Sequence, residues 1–273
     1  MWTWPTDDSR RVNIDEFTLR PYPKAKNSRI DAAYRPGDHH RDSAPAYLIK
    51  YGGQAVAERL YYRLARVFGL PQQWVFWAND GEVVDQWCRT IPTLRRLASL
   101  PLADRHLYSP IPLSCQAAVA IQFELDARFA AALNEDRSTV VCDDGQRATP
   151  ANALDSIRHN ALHIFCGSGD SSQTMLRQDT LFGIDAANCL TQHRAASYWL
   201  GMLSEKARSR PIYPTFREML KTIVQCATLA ETASQELAEA PFPEVQQLAG
   251  PIGGIVRYNQ EELAKALEEL PSL

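Results

Sequence analysis

Apolar and polar positions alternate in VNIDEFTLR at 12–20, the pattern of a half-buried strand. RIDAAY at 29–34 follows the turn-like PYPKAKN and reads as its hairpin partner. The polar, turn-forming RPGDHHRDSAP then predicts a loop. AYLIKY at 46–51 is a compact strand-type run that carries one basic residue, Lys50. From Gln54 to Phe68 the period changes, and Val56, Leu60, Leu64, Val67 and Phe68 recur at helical spacing. Gly69 ends that helix and Pro71 prevents its continuation. WVFWA at 74–78 reads as a further strand, closed by the turn signature Asn79-Asp80-Gly81.

The remainder reads as mostly helical. Ser114 to Asn134 is a long amphipathic segment, and Ala151 to Phe165 reads as a helix that runs into the loop CGSGDSS at 166–172. LFGID at 181–185 reads as a short strand. Ala186 to Ala207 and Thr215 to Glu239 read as long helices, and Asn259 to Leu270 as a short terminal one. GPIGG at 250–254 reads as a turn; no lysine with a following serine or threonine makes it a phosphate loop. The expected fold class is therefore α+β, with a small strand-rich N-terminal lobe at 1–80 and a larger helical C-terminal lobe at 81–273, together one compact domain.

Composition narrows the function classes. Hydrophobic residues make up 45% and charged residues 22% of the 273, an ordinary globular balance. The net charge of −3, from 29 basic and 32 acidic residues without long runs, gives no electrostatic reason to expect nucleic acid as a partner. No stretch approaches the roughly 20 consecutive apolar residues of a membrane span. The start, MWTWPTDDSRR, lacks the basic-then-apolar order of a secretory signal. The six cysteines form no C-x-x-C pair, so reduced thiols and a cytoplasmic location are expected.

Some residue types in this pattern point to chemistry. An ammonium in an apolar strand needs an edge position or an anionic partner, and Glu58 stands eight residues after Lys50, early in the following helix. A strand lysine paired with a helix glutamate is the device by which kinases hold nucleotide phosphates. Asp170 lies in the Gly-flanked polar loop, and Asp185 closes the apolar run LFGI fifteen residues later. Phosphoryl transfer needs one carboxylate near the attacking hydroxyl and another on the metal.

AYLIKY, AERLYYRLARVFGLP, the Asp170 loop and LFGID together resemble HipA-like kinases and their relatives of the phosphatidylinositol-kinase type, over roughly residues 45–190. The resemblance implies a two-lobed kinase-like fold, ATP and magnesium as cofactors, and a protein serine or threonine as acceptor. It also implies that Lys50 contacts ATP phosphates, Glu58 orients Lys50, Asp170 acts as catalytic base and Asp185 coordinates magnesium. WVFWA would supply the adenine-facing strand, with Asn79 and Asp80 as adenine contacts. The family's catalytic loop usually reads Asp-Arg-His with an asparagine a few residues on. This chain has Asp170-Ser171-Ser172-Gln173, so Gln173 is the candidate oxygen ligand in the asparagine's place, with Ser171 or Ser172 as a weaker alternative. PKAKNSR replaces a Gly-rich loop, leaving Lys24 or Lys26 with Ser28 as candidates to contact phosphate, although an ordinary surface hairpin reads the same way. These departures keep a rival open, a kinase-shaped nucleotide-binding or protein-interaction module without turnover. The oligomeric state is left open.

Other signals have bland explanations. His159 and His163 share a helix face, but HNALH lacks the glutamate of a zinc-protease helix, so both read as partly buried histidines. Asp38, His39, His40 and Asp42 read as a solvated loop. Glu218, Lys221, Glu231 and Glu236 read as one solvated helix face.

Overall fold

The computed structural model describes residues 2–7, 9–22, 30–38, 44–79, 81, 83–84, 115–124, 126–133, 138–167, 174–184, 189–190, 192–208 and 211–270. The chain is a mixed α+β protein, and its described residues form two five-stranded antiparallel sheets. The first sheet is built from β1 (Thr18–Pro21), β2 (Asp31–Tyr34), β3 (Tyr47–Tyr51), β4 (Val75–Trp77) and β5 (Ala118–Gln122), in the order β1-β2-β3-β5-β4. The expected hairpin of β1 and β2 forms, with Thr18 opposite Tyr34. β5 inserts between β3 and β4, so that Lys50, Val119 and Trp77 lie in register across three strands.

At the end of β3 the chain turns into α1 (Gly52–Val67). Gly52 makes that corner at φ +64°, a conformation glycine adopts without steric cost, and its N–H donates to the Ala117 carbonyl at 2.8 Å. α1 is buried on nearly every side, since the first sheet covers one face and helices cover the other.

The second sheet comprises β6 (Arg128–Leu133), β7 (Val140–Cys142), β8 (Arg147–Ala148), β9 (Thr174–Arg177) and β10 (Thr180–Gly183), in the order β10-β9-β6-β7-β8. It has its own small core of Ala130, Val140, Cys142, Leu176 and Leu181. The sheets meet where the Gly183 N–H donates to the Pro71 carbonyl at 2.9 Å and the Gln73 N–H donates to the Gly183 carbonyl at 3.0 Å.

Among the described residues the further helices are α2 (Asp155–Cys166), α3 (Ala196–Ala207), α4 (Tyr213–Gln225), α5 (Leu229–Ala238), α6 (Pro243–Gln246) and α7 (Ala249–Glu269). One continuous core joins these helices to α1 and the first sheet. Among the described residues no helix is long and apolar enough to cross a membrane.

Several expected elements differ. The segment 12–20 is not one strand: Ile14–Glu16 is a 3-10 turn, seeded by the Asn13 side chain accepting from the Asp15 N–H at 3.3 Å. The amphipathic segment 114–134 holds strands β5 and β6, not a helix. Of the long helix expected over 186–207, the described residues 189–190 and 192–195 are not helical and Ala196–Ala207 is. Before it, Asn259 holds the chain away from helical bonding, accepting from the Arg194 N–H and donating to the Gln192 carbonyl. The helix expected over 215–239 breaks at Cys226, whose ψ is 91°, and the Gln260 amide takes up the carbonyls of Ile223 and Cys226.

GPIGG is not a turn but the first two turns of α7. A Cβ on Gly253 would meet Ser234 Oγ at 2.1 Å, so this glycine serves the close approach of α5 and α7.

Candidate functional site

The site begins at the corner between β3 and α1. Alternation along β3 turns Lys50 to the same side of the sheet as α1. Glu58, in the second turn of that helix, lies within reach. Lys50 Nζ donates to Glu58 Oε1, and the two residues are 6% and 1% exposed. A charge pair this dry is a weak source of stability compared with apolar packing, although breaking it is costly. Its conspicuous property is an ammonium fixed in one position at low dielectric, an arrangement that suits an anionic ligand.

The polar segments containing Asp170 and Asp185 lie outside the described residues, and so do Gln173 and Asp80. One described flank of each segment, Cys166 before the first and Cys189-Leu190 after the second, meets the other. Cys166 ends α2, and Cys189 follows the Asp185 segment. The Leu190 N–H donates to the Cys166 carbonyl at 2.5 Å. Burial above all pushes the Cys189 thiol well up, and the hydrogen bond to Cys166, the Cys166 charge and nearby Glu58 add to it. The Tyr61 phenol is likewise raised, first by burial and then by the neighbouring Cys166, Cys189 and Glu58. Glu58 therefore acts electrostatically on Cys189 and on Tyr61. The five described cysteines are free thiols.

Between the bracketing residues run β9 and β10. Thr180 pairs with Arg177 across their turn, and the hairpin is tied to the start of α2. Asn152 holds β10 like a neighbouring strand, accepting from the Leu181 N–H and donating to the Leu181 carbonyl, both at 2.8 Å. Further along α2, fully buried His159 donates from Nε2 to the Pro71 carbonyl at 2.7 Å. Its Nδ1 is then the acceptor for the Tyr61 hydroxyl at 2.9 Å. Burial lowers the His159 pKa to about 4, against the opposing Asp155 charge and the Pro71 hydrogen bond. His163 is also buried and stacks on Tyr61 at 4.1 Å between centroids. Both histidines are more buried than expected.

Asn79 lies just past β4, and its N–H donates to the Val12 carbonyl at 2.9 Å. It is two strands from β3, about 10 Å in the hydrogen-bonding direction, and it makes no described contact with Lys50. Phe76 and Trp77 are core residues, and Trp74 packs partly buried against them. Lys24, Lys26, Ser28, His39, His40 and Asp42 lie outside the described residues. A cleft of about 150 Å3 opens where the two sheets meet, lined by Trp2, Trp74, Gln122, Glu124 and Arg177. Glu124 and Arg177 form an ion pair of 2.7 Å there, and burial raises the Glu124 carboxyl.

Glu236 overturns the expectation of a solvated face. It is 6% exposed and accepts from Arg59 Nε at 2.7 Å and Trp77 Nε1 at 2.7 Å. Arg63 Nε completes an ion pair with its other oxygen at 2.8 Å. The sequence does carry a signal for this: Glu236 falls on the stripe of Leu229, Ala230, Ala233 and Leu237, the buried face of α5.

Among the described residues no three His, Cys, Asp or Glu side chains are grouped to hold a metal ion. Compared with family models, with curated proteins and with solved structures, the chain finds no significant match.

Proposed function

We propose that this protein is an ATP- and magnesium-dependent phosphotransferase of the HipA-like kind, with a two-lobed kinase-like arrangement and a protein serine or threonine as acceptor. The observation that carries the reading is the buried Lys50–Glu58 pair, a lysine on the third strand held by a glutamate of the next helix. That pairing is what a kinase needs to fix nucleotide phosphates. Further support is the meeting of Cys166 with Cys189 and Leu190, which joins one flank of the Asp170 segment to one flank of the Asp185 segment.

In this reading Lys50 binds the phosphates and Glu58 keeps its ammonium in place. Asp185, with Gln173, holds magnesium, which neutralises charge on the transferring phosphoryl group. Asp170 orients the acceptor hydroxyl and takes its proton. The adenine contacts assigned to Asn79 and Asp80 belong to the same proposal.

The alternative is a kinase-shaped nucleotide-binding or interaction module without turnover. The observation favouring it is the sequence Asp170-Ser171-Ser172-Gln173, which lacks the Arg-His pair and the asparagine of the family's loop.

Magnesium-dependent ATP binding by calorimetry, on the wild type, Lys50→Met and Asp185→Asn, tests the site. Binding by the wild type that is lost in both variants is the expected result. Absence of wild-type binding would refute the nucleotide site. Binding without transfer to any protein serine or threonine would select the non-catalytic alternative.

A further inference from the structure

α1 carries Glu58, and the residue beside it is anchored to the far end of the chain. Arg59, 3% exposed, donates from Nε to Glu236 Oε1 at 2.7 Å, from Nη2 to Glu236 Oε2 at 3.5 Å, and from Nη1 to the Val75 carbonyl. Its guanidinium also lies over the Tyr62 ring, 5.2 Å from the centroid. Half-buried Arg63, one turn further on, meets Glu236 Oε2 at 2.8 Å. Trp77 Nε1 donates to Glu236 Oε1 at 2.7 Å and links the clamp to β4, whose Trp77 shares a register line with Lys50. α6 adds a second brace, for Glu244 accepts from the Gln116 N–H at 2.9 Å, two residues before β5.

A buried arginine and carboxylate, with a second arginine half-buried beside them, are a poor way to gain stability, because desolvation consumes most of the attraction. What such a cluster does supply is one allowed geometry. Any slide or rotation of α1 relative to α5 separates Arg59 and Arg63 from the one carboxylate they share. Because Glu58 is the immediate neighbour of Arg59, the same motion withdraws Glu58 from Lys50.

We propose that Glu236 is a positioning residue. From α5 it holds α1 at the setting in which Glu58 meets Lys50, keeping the lysine ready for phosphate without a second protein or a modification to push the helix in. The link to phosphate rests on the kinase reading above, whereas the effect of Glu236 on the ion pair does not.

The test reads the ion pair directly. The folded, full-length protein is treated with an amine-acylating succinimidyl ester, and Lys50 modification is followed over time by peptide mass spectrometry. A buried, paired ammonium is protected, and its labelling rate tracks the population of the open state. Glu236→Gln is expected to speed Lys50 labelling about ten-fold, with Arg63→Gln giving a smaller rise, since either change weakens the hold on α1. A control variant in the α7 core, Ile255→Val, chosen to lower global stability without touching the clamp, is expected to leave Lys50 protected. The same three variants are then compared for magnesium-ATP affinity.

Unchanged Lys50 labelling in both Glu236→Gln and Arg63→Gln would overturn the positioning role, as would an equal rise in the control. Should Glu236→Gln not fold, the Arg63→Gln rate against the control decides the matter alone. Faster labelling in a protein that binds no nucleotide would uphold the clamp on α1 and refute the kinase reading. Faster labelling with weakened nucleotide binding supports both.

Discussion

His159 gives the protein a built-in sensitivity to acid. The imidazole is fully buried, and its hydrogen bonds define the neutral tautomer, with the proton on Nε2 facing Pro71 and Nδ1 accepting from Tyr61. Its pKa falls from 6.5 to about 4 on folding. Between those values the unfolded chain takes up a proton that the native chain does not, so stability is intact above pH 6.5 and declines as the pH falls. At about 1.4 kcal/mol per pKa unit, the loss from this one residue is about 2 kcal/mol at pH 5 and about 3 kcal/mol below pH 4. Full burial means that solvent screening does not reduce the figure.

Other groups also titrate in this range, so a variant has to isolate the contribution. His159→Gln retains an amide donor for Pro71 and an acceptor for Tyr61 while removing the titration. Urea unfolding of both proteins at pH 7, 6 and 5 measures the difference. The wild type should lose about 2 kcal/mol more than the variant between pH 7 and 5. Parallel losses in the two proteins would mean that His159 does not stay neutral in the folded state, and the reasoning would fail.

Two further outcomes follow from the packing. Lys50→Met or Glu58→Leu alone leaves a buried charge without its counterpart and should cost about 3–5 kcal/mol. The double variant should recover much of that, and urea denaturation of all three closes the cycle. Gly183→Ala would bring a Cβ to 2.2 Å from Gln72 Oε1 and 2.7 Å from His159 Nδ1, where the sheets meet. It should cost about 1–3 kcal/mol by overpacking, read as a lower urea midpoint at constant slope.

The ion pair was legible as a candidate because its two members lie eight residues apart across a single strand-to-helix corner. Spacing alone fits a snorkelling lysine and an exposed glutamate equally, and burial on both sides is what joins them. β5 was not legible. Its residues, AVAIQ, form a run without alternation because the strand is covered on both faces, and the alanines around it favour helix intrinsically. Only its partners β3 and β4, more than forty residues upstream, make it a strand. GPIGG failed for a related reason. Glycine is a breaker in an isolated helix, but here Gly253 is what α5 requires of α7 at a close crossing. Glu236 was hidden by its residue type: a glutamate on a helix stripe is ordinarily solvated, and two arginines 173 and 177 residues away reverse that.

The buried polar contacts of α1 share one logic. Glu58, Arg59 and Tyr61 fall within a single turn and point in three directions, with Arg59 about 100° round from Glu58 on one side and Tyr61 about 60° on the other. Glu58 reaches β3 through Lys50, Arg59 reaches α5 through Glu236, and Tyr61 reaches α2 through His159. Apolar contacts along the same helix can tolerate a small slide, because one methyl group replaces another at little cost. These three cannot, since each donor or acceptor would be left buried without its partner, at about 1–3 kcal/mol apiece and more where charge is involved. The helix is therefore fixed in rotation and translation by groups that add little net stability, and Glu58, which meets Lys50, lies within the turn they fix.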